Sequence, residues 1–151
     1  MEIDPRGPRF SALITTVVLG VVLVTSSVWL LAAQAVVFAA GSVFGLRYSP
    51  YGLLYRRLIR PRLGPPAELE PEAPPRFAQG VGLAFAVAGV AGYAAGLTWL
   101  GAAATAAALV AAFLNAVFGF CLGCEMYLLI RRTRPGRQVP VLADPDKEVN
   151  A

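Results

Sequence analysis

Two stretches of this chain, Phe10–Leu46 and Phe77–Cys124, contain no charged residue. Each is too long for a single membrane crossing, which needs roughly 20 apolar residues. Each suits a pair of helices joined by a tight turn. Charge is scarce throughout: 15% of the 151 residues are Asp, Glu, Lys or Arg, where soluble domains average about a quarter. The pattern predicts an all-α membrane protein, a four-transmembrane-helix bundle with spans at about 10–30, 32–55, 77–98 and 102–130.

The basic residues orient that bundle. Arg6 and Arg9 precede the first span, Arg56, Arg57, Arg60, Arg62 and Arg76 lie between the second and third, and Arg131, Arg132, Arg134, Arg137 and Lys147 follow the fourth. The turns expected near Leu31 and Gly101 carry no charge. By the positive-inside rule both termini and the central loop face the cytoplasm, with Trp29 and Trp99 at the outer interface. The N-terminal region loosely imitates a cleaved signal peptide, but its apolar run exceeds the usual core of about 7–15 residues.

The chain also repeats itself in order. Pro8-Arg9-Phe10 returns as Pro75-Arg76-Phe77, Trp29-Leu30 as Trp99-Leu100, Val43-Phe44-Gly45 as Val117-Phe118-Gly119, and Arg60-Pro61 as Arg134-Pro135. The expected organisation is two repeated helical hairpins, residues 1–63 and 76–135. They are separated by a Pro-rich acidic cytoplasmic linker at 64–75 and followed by a polar cytoplasmic tail at 136–151. Residues 53–63, basic and apolar, suit the inner leaflet surface.

Chemistry concentrates at Cys121, Cys124 and Glu125, in the run Phe118-Gly-Phe-Cys-Leu-Gly-Cys-Glu125. Spacings of three and four place all three side chains on one helical face. Superposing the Val-Phe-Gly triplets sets Arg47 opposite Cys121. If the second helix runs on to Arg56, Arg47 lies well inside it, with Glu125 as its natural partner. The alternative is that this helix ends before Ser49-Pro50 and leaves Arg47 at the interface. Thiol chemistry needs thiolate. Burial, Glu125 and the C-terminal half of a helix all oppose it. Arg47 nearby would reverse that balance, and so would a helix break at Gly119, which would place the cysteines at a new helix N-terminus.

Other chemistry is poorly served. The chain has no histidine, and two thiols with one carboxylate fall short of a four-ligand zinc site, so no metal is expected. No phosphate-binding loop occurs, and nothing suggests nucleic acid. No cofactor is evident, although a quinone is compatible with the setting. A plainer reading makes the cysteines small residues at a close helix crossing, since Gly119-x-x-x-Gly123 is a packing motif. Similar glycine-rich faces (Gly41-x-x-x-Gly45, Gly92-x-x-x-Gly96) offer a homodimer surface.

The runs Asp4–Phe10, Pro75-Arg-Phe77 and Asn115–Cys124 resemble an uncharacterised family of small bacterial membrane proteins, mainly actinobacterial, described as a domain of unknown function with a Phe-Gly-x-Cys-x-x-Cys signature. Members often neighbour genes for thioredoxin-like proteins or thiosulfate sulfurtransferases. The resemblance therefore implies thiol or sulfane-sulfur handling. The expected function is a membrane-embedded thiol–disulfide redox or sulfur-transfer component, serving a thioredoxin- or rhodanese-like partner from within the lipid bilayer. Cys121 or Cys124 would attack and the other resolve, with Glu125 accepting a proton and Arg47 stabilising the thiolate. The competing expectations are a non-catalytic membrane subunit or anchor, and a carrier that uses Arg47.

Overall fold

The computed structural model describes residues 2–134. A two-residue strand β1 (Glu2–Ile3) leads into α1 (Arg6–Thr25) and α2 (Val28–Val43). A short α3 (Pro50–Leu54) continues through a π-helical turn (Tyr55–Ile59) and a 3-10 turn (Arg60–Arg62). Strand β2 (Glu70–Pro71) then precedes α4 (Ala73–Ala94), α5 (Thr98–Phe118) and α6 (Leu122–Thr133). The expected tail at 136–151 lies outside the described residues.

Helices α1, α4 and α5 are each long and apolar enough to cross a membrane, while α2 is a shorter apolar helix. At about 1.5 Å per residue, the 21 residues of α5 span roughly 31 Å, close to the hydrocarbon thickness. The 16 residues of α2 reach only about 24 Å. The outer surface is apolar: Val24, Trp29, Val36 and Trp99 are among its exposed residues, which suits lipid and not water.

The helix ends differ from the sequence expectation for local reasons. The first turn comes at Ser26-Ser27, before Leu31. Ser26 takes a left-handed conformation (φ 51°), and the Ser27 hydroxyl accepts from the Leu30 N–H at 3.3 Å. The turn between α4 and α5 is Ala95-Gly96-Leu97, before Gly101. Gly96 sits at φ +76°, and the Leu97 N–H returns to the Gly92 carbonyl at 2.8 Å, a glycine-dependent C-cap. The second helix stops at Val43, followed by Gly45 at φ +95°, so the span expected to reach residue 55 is interrupted. Likewise α5 stops at Phe118, followed by Gly119 at φ +67°. The stretch expected as one helix over 102–130 is two.

Helix α1 packs chiefly on α5, α2 on α4, and α4 on both α5 and α6, whereas the sequence neighbours α1 and α2 meet only sparingly. The core joins Leu19 and Val22 of α1, Leu31 and Phe38 of α2, Ala86 of α4 and Ala108 of α5. Close approach depends on small residues. A methyl group at Gly92 would stand 2.6 Å from the Gly101 backbone nitrogen, and one at Gly41 would stand 3.1 Å from Gln79. These glycines serve helix contacts within the chain. Inside the bundle Gln34 is fully buried, its amide donating to Thr15 at 3.4 Å and its oxygen accepting from Tyr51 at 2.8 Å.

The repeated sequence markers fall at matching structural points. Helices α1 and α4 each begin two residues before the proline of Pro-Arg-Phe, and α2 and α5 each begin one residue before their tryptophan. Both Val-Phe-Gly triplets end a helix at a positive-φ glycine. Phe10 stacks on Tyr55 with centroids 5.8 Å apart, and Phe77 on Tyr127 at 5.7 Å. The strands pair antiparallel, Ile3 against Glu70.

If these close contacts hold the bundle together, Gly92→Ala should cost about 1–3 kcal/mol through overpacking. It should lower Tm in detergent by several degrees. Gly20, with nothing within 4 Å of an added methyl group, should accept alanine without loss. Paired melts of the two variants check both.

Candidate functional site

The break after α5 decides where the cysteines stand. The Gly119 N–H closes on the Asn115 carbonyl at 3.1 Å, and its left-handed backbone turns the chain out of the helix axis. Two residues later Cys121 takes an extended conformation (φ −90°, ψ 98°) and becomes the N-cap of α6. Its sulfur accepts from the Cys124 N–H at 3.4 Å, the bond that a serine or aspartate side chain makes at a helix start. Cys124 lies in the first turn, its Cα 5.2 Å from that of Cys121, and the two form a disulfide. This corrects the expectation that the pair lies in the C-terminal half of a long helix. At the start of α6 the backbone amides and helix dipole favour negative charge on Cys121.

Glu125 follows in the same turn and is exposed, its N–H donating to the Cys121 carbonyl at 3.1 Å. Gly123 sits where α6 crosses α4. A methyl group there would lie 2.6 Å from both Cα and Cβ of Ala78. Ala78 is five residues into α4, so the crossing lies about 8 Å inside the end of that helix. One exposed edge of α6 carries Met126, Leu129 and Ile130, and its last turn carries Arg131 and Arg132.

Arg47 does not join this group. Helix α2 has already ended, and Arg47 is exposed in the link to α3. It lines a cavity of about 260 Å³ with Glu2, Asp4, Tyr55 and Arg56. Cys121 lines a different cavity, and the two share only Pro8 and Leu46 as walls. The alternative in which the second helix ends before Ser49-Pro50 is the one observed. The register that set Arg47 opposite Cys121 fails because the link between α2 and α3 is longer than that between α5 and α6. The N-caps and the aromatic pairs instead match Cys121 with Ser49, the N-cap of α3, and Tyr127 with Tyr55.

The arginine that does approach is Arg9. Its guanidinium packs over the Gly119 turn, where an added methyl group would meet the guanidinium carbon at 3.3 Å. Sequence reasoning used Arg9 as a topology and repeat marker and gave it no place in the site. The signal that could have found it is the repeated Pro-Arg-Phe. Its second copy puts Arg76 on the end of α2, donating to the Ser42 carbonyl at 3.0 Å and the Val43 carbonyl at 2.9 Å. In each case an arginine near the start of one long helix reaches the C-terminus of a helix from the other half, where positive charge is favourable.

The cavity beside Cys121 has a volume of about 280 Å³. It opens between α1, α2, α4, α5 and α6, where α5 presents the small side chains of Ala107, Ala108, Ala111 and Ala112, with Asn115 beyond them. Cys124 is not among its lining residues. The cavity is thus walled by one residue of the pair, Cys121. No group of three or more metal-binding side chains occurs among the described residues.

Two substitutions probe this geometry. Gly119→Ala should destabilise by about 1–2 kcal/mol, because an L-residue is strained in a left-handed backbone. Gly123→Ala should push α6 off α4. It should speed amide hydrogen exchange across Leu122–Thr133 while leaving α1 and α5 protected, as peptide-level exchange mass spectrometry would record.

No curated protein and no solved structure matches this chain. A family profile does, over residues 3–132. The chain belongs to that family, the domain of unknown function DUF4395.

Proposed function

We propose that this protein is a membrane-embedded thiol–disulfide exchange component whose attacking residue is Cys121 and whose resolving residue is Cys124. The observation that carries the reading is the placement of Cys121 as N-cap of α6, with Cys124 in the first turn at disulfide distance. A helix N-terminus stabilises thiolate and so makes a better nucleophile and leaving group. Two cysteines used only for close packing have no need of a helix break in front of them.

The exchange balances without a metal. A thiolate of a partner dithiol, of thioredoxin-like or sulfurtransferase type, attacks the Cys121 sulfur. The Cys121–Cys124 bond breaks, and Cys124 leaves as thiolate and takes a proton. The partner's second thiol then attacks the mixed disulfide. Cys121 is released, the partner becomes oxidised, and two electrons rest on the Cys121–Cys124 dithiol. Glu125, exposed in the same helical turn, is the candidate to relay the protons. Arg9, and not Arg47, is the cation that packs over the Gly119 turn in front of the pair.

The same reading orients the molecule. The ends of α2 and α5, the starts of α1 and α4, and every arginine among residues 6–134 lie toward one end of the bundle. The opposite turns, Ser26-Ser27 and Ala95-Gly96-Leu97, are uncharged. We place the charged end in the cytoplasm by the positive-inside rule, so the pair meets its partner there. We also read the chain as a duplicated hairpin with four crossings, α2 being the short one. The coincident helix starts, glycine breaks and aromatic pairs support that reading.

Maleimide alkylation of the reduced protein, followed across pH by mass spectrometry, tests the central assignment. Cys121 should react at least tenfold faster than Cys124 at neutral pH, with a half-maximal rate below the ~8.5 of a free thiol. Thiols that stay inert until the protein is denatured would make the pair a packing element and the protein a structural subunit.

A further inference from the structure

Resting on that reading, we infer that the cavity beside Cys121 binds the head group of a lipid-soluble quinone, which takes the two electrons from the Cys121–Cys124 dithiol. A dithiol on the reducing side of a membrane stays reduced unless a specific oxidant reaches it. Cys121 stands between two surroundings. The water side is the exposed turn with Glu125, and the other is an apolar cavity with Cys121 in its wall.

The cavity fits a flat, oxygen-bearing ring. Its volume of about 280 Å³ stands near the lower end for small-molecule sites, ~300–1,000 Å³, which suits a ring and the root of its tail. The rim carries Phe85, Leu122 and Met126, exposed on the bundle surface, so a ligand dissolved in lipid can enter sideways. Two amide side chains, Gln79 and Asn115, are among the lining residues. The Gln34 amide deeper in the bundle is consumed by Thr15 and Tyr51. Neither Gln79 nor Asn115 makes a side-chain hydrogen bond among the described residues. Neither amide is sealed in the bundle, where Tyr93 carries the buried unpaired oxygen, so carbonyl oxygens of a quinone can accept from them.

The step is a two-electron, two-proton exchange. The Cys121 thiolate adds to the quinone ring. The Cys124 thiolate then attacks the Cys121 sulfur, the S–S bond forms, the sulfur–ring bond breaks, and the ring leaves as quinol. Both thiol protons, or their equivalents relayed from water, end on the quinone oxygens. Together with the exchange above, electrons pass from a cytoplasmic dithiol to the membrane quinone pool.

The test uses the full chain in lipid nanodiscs, reduced and freed of reductant, with decylubiquinone as oxidant, because its fully substituted ring resists irreversible trapping by thiols. The wild type should convert about one equivalent of quinone to quinol per dithiol oxidised. Ala111→Phe, which fills the cavity, and Asn115→Leu, which removes a donor at similar volume, should each slow this at least roughly tenfold. Oxidation by glutathione disulfide from the water side should be unchanged in both, which also shows that they fold. A wild-type pair oxidised by glutathione disulfide but not by the quinone would overturn this inference and leave the exchange reading standing. Variants oxidised by the quinone at the wild-type rate would do the same. A pair that reacts with neither oxidant would overturn both.

Discussion

Within hydrocarbon a helix cannot stop, because its last carbonyls and the next amides would lose their partners. Helices of this protein end where a residue can turn the chain and still satisfy those groups. Gly119 is the decisive case. Its backbone at φ +67° favours the absence of a side chain, its N–H still reaches Asn115, and Arg9 covers the exposed end of α5. Once the chain is turned there, Cys121 must begin a new helix. Had α5 run on through residue 130, both sulfurs would lie in the unfavourable potential of a helix C-terminus. With the break, the same two residues occupy the favourable end of α6.

The two halves of the chain support one another at this end. Arg76 holds the end of α2 and Arg9 covers the end of α5, so each half supplies the charge that finishes a helix of the other. β1 and β2, which precede the two long first helices, pair directly. The halves differ at the proposed site. The N-cap is Ser49 in one and Cys121 in the other. Ser49 is buried beside a segment rich in arginine, whereas Cys121 borders a cavity lined by alanines.

The membrane character and the long apolar helices were legible from the charge-free stretches, because lipid leaves a chain few choices; that the second helix would be short was not. The helix ends were not. Ser26-Ser27 and Ala95-Gly96-Leu97 are uncharged, so they look like more of the same helix until backbone angles are known. The Cys-x-x-Cys stood out by composition, and a break at Gly119 could be named as one of two ways to activate it. The other way, through Arg47, was carried by a superposition of repeats that ignored the unequal links after α2 and α5. Arg9 escaped notice because nothing in its neighbourhood along the chain hints at a contact more than a hundred residues away. Only the matching role of Arg76 reveals it.

The most direct test is to trap the exchange in mid-course. Cys124→Ser and Cys121→Ser proteins would each be mixed with a thioredoxin-like domain that retains only its attacking cysteine, activated as a mixed disulfide with a good leaving thiol. If Cys121 at the head of α6 is the nucleophile, Cys124→Ser accumulates a stable disulfide-linked complex through Cys121, and Cys121→Ser forms little. A complex formed equally well through Cys124, or through neither sulfur, would contradict the account.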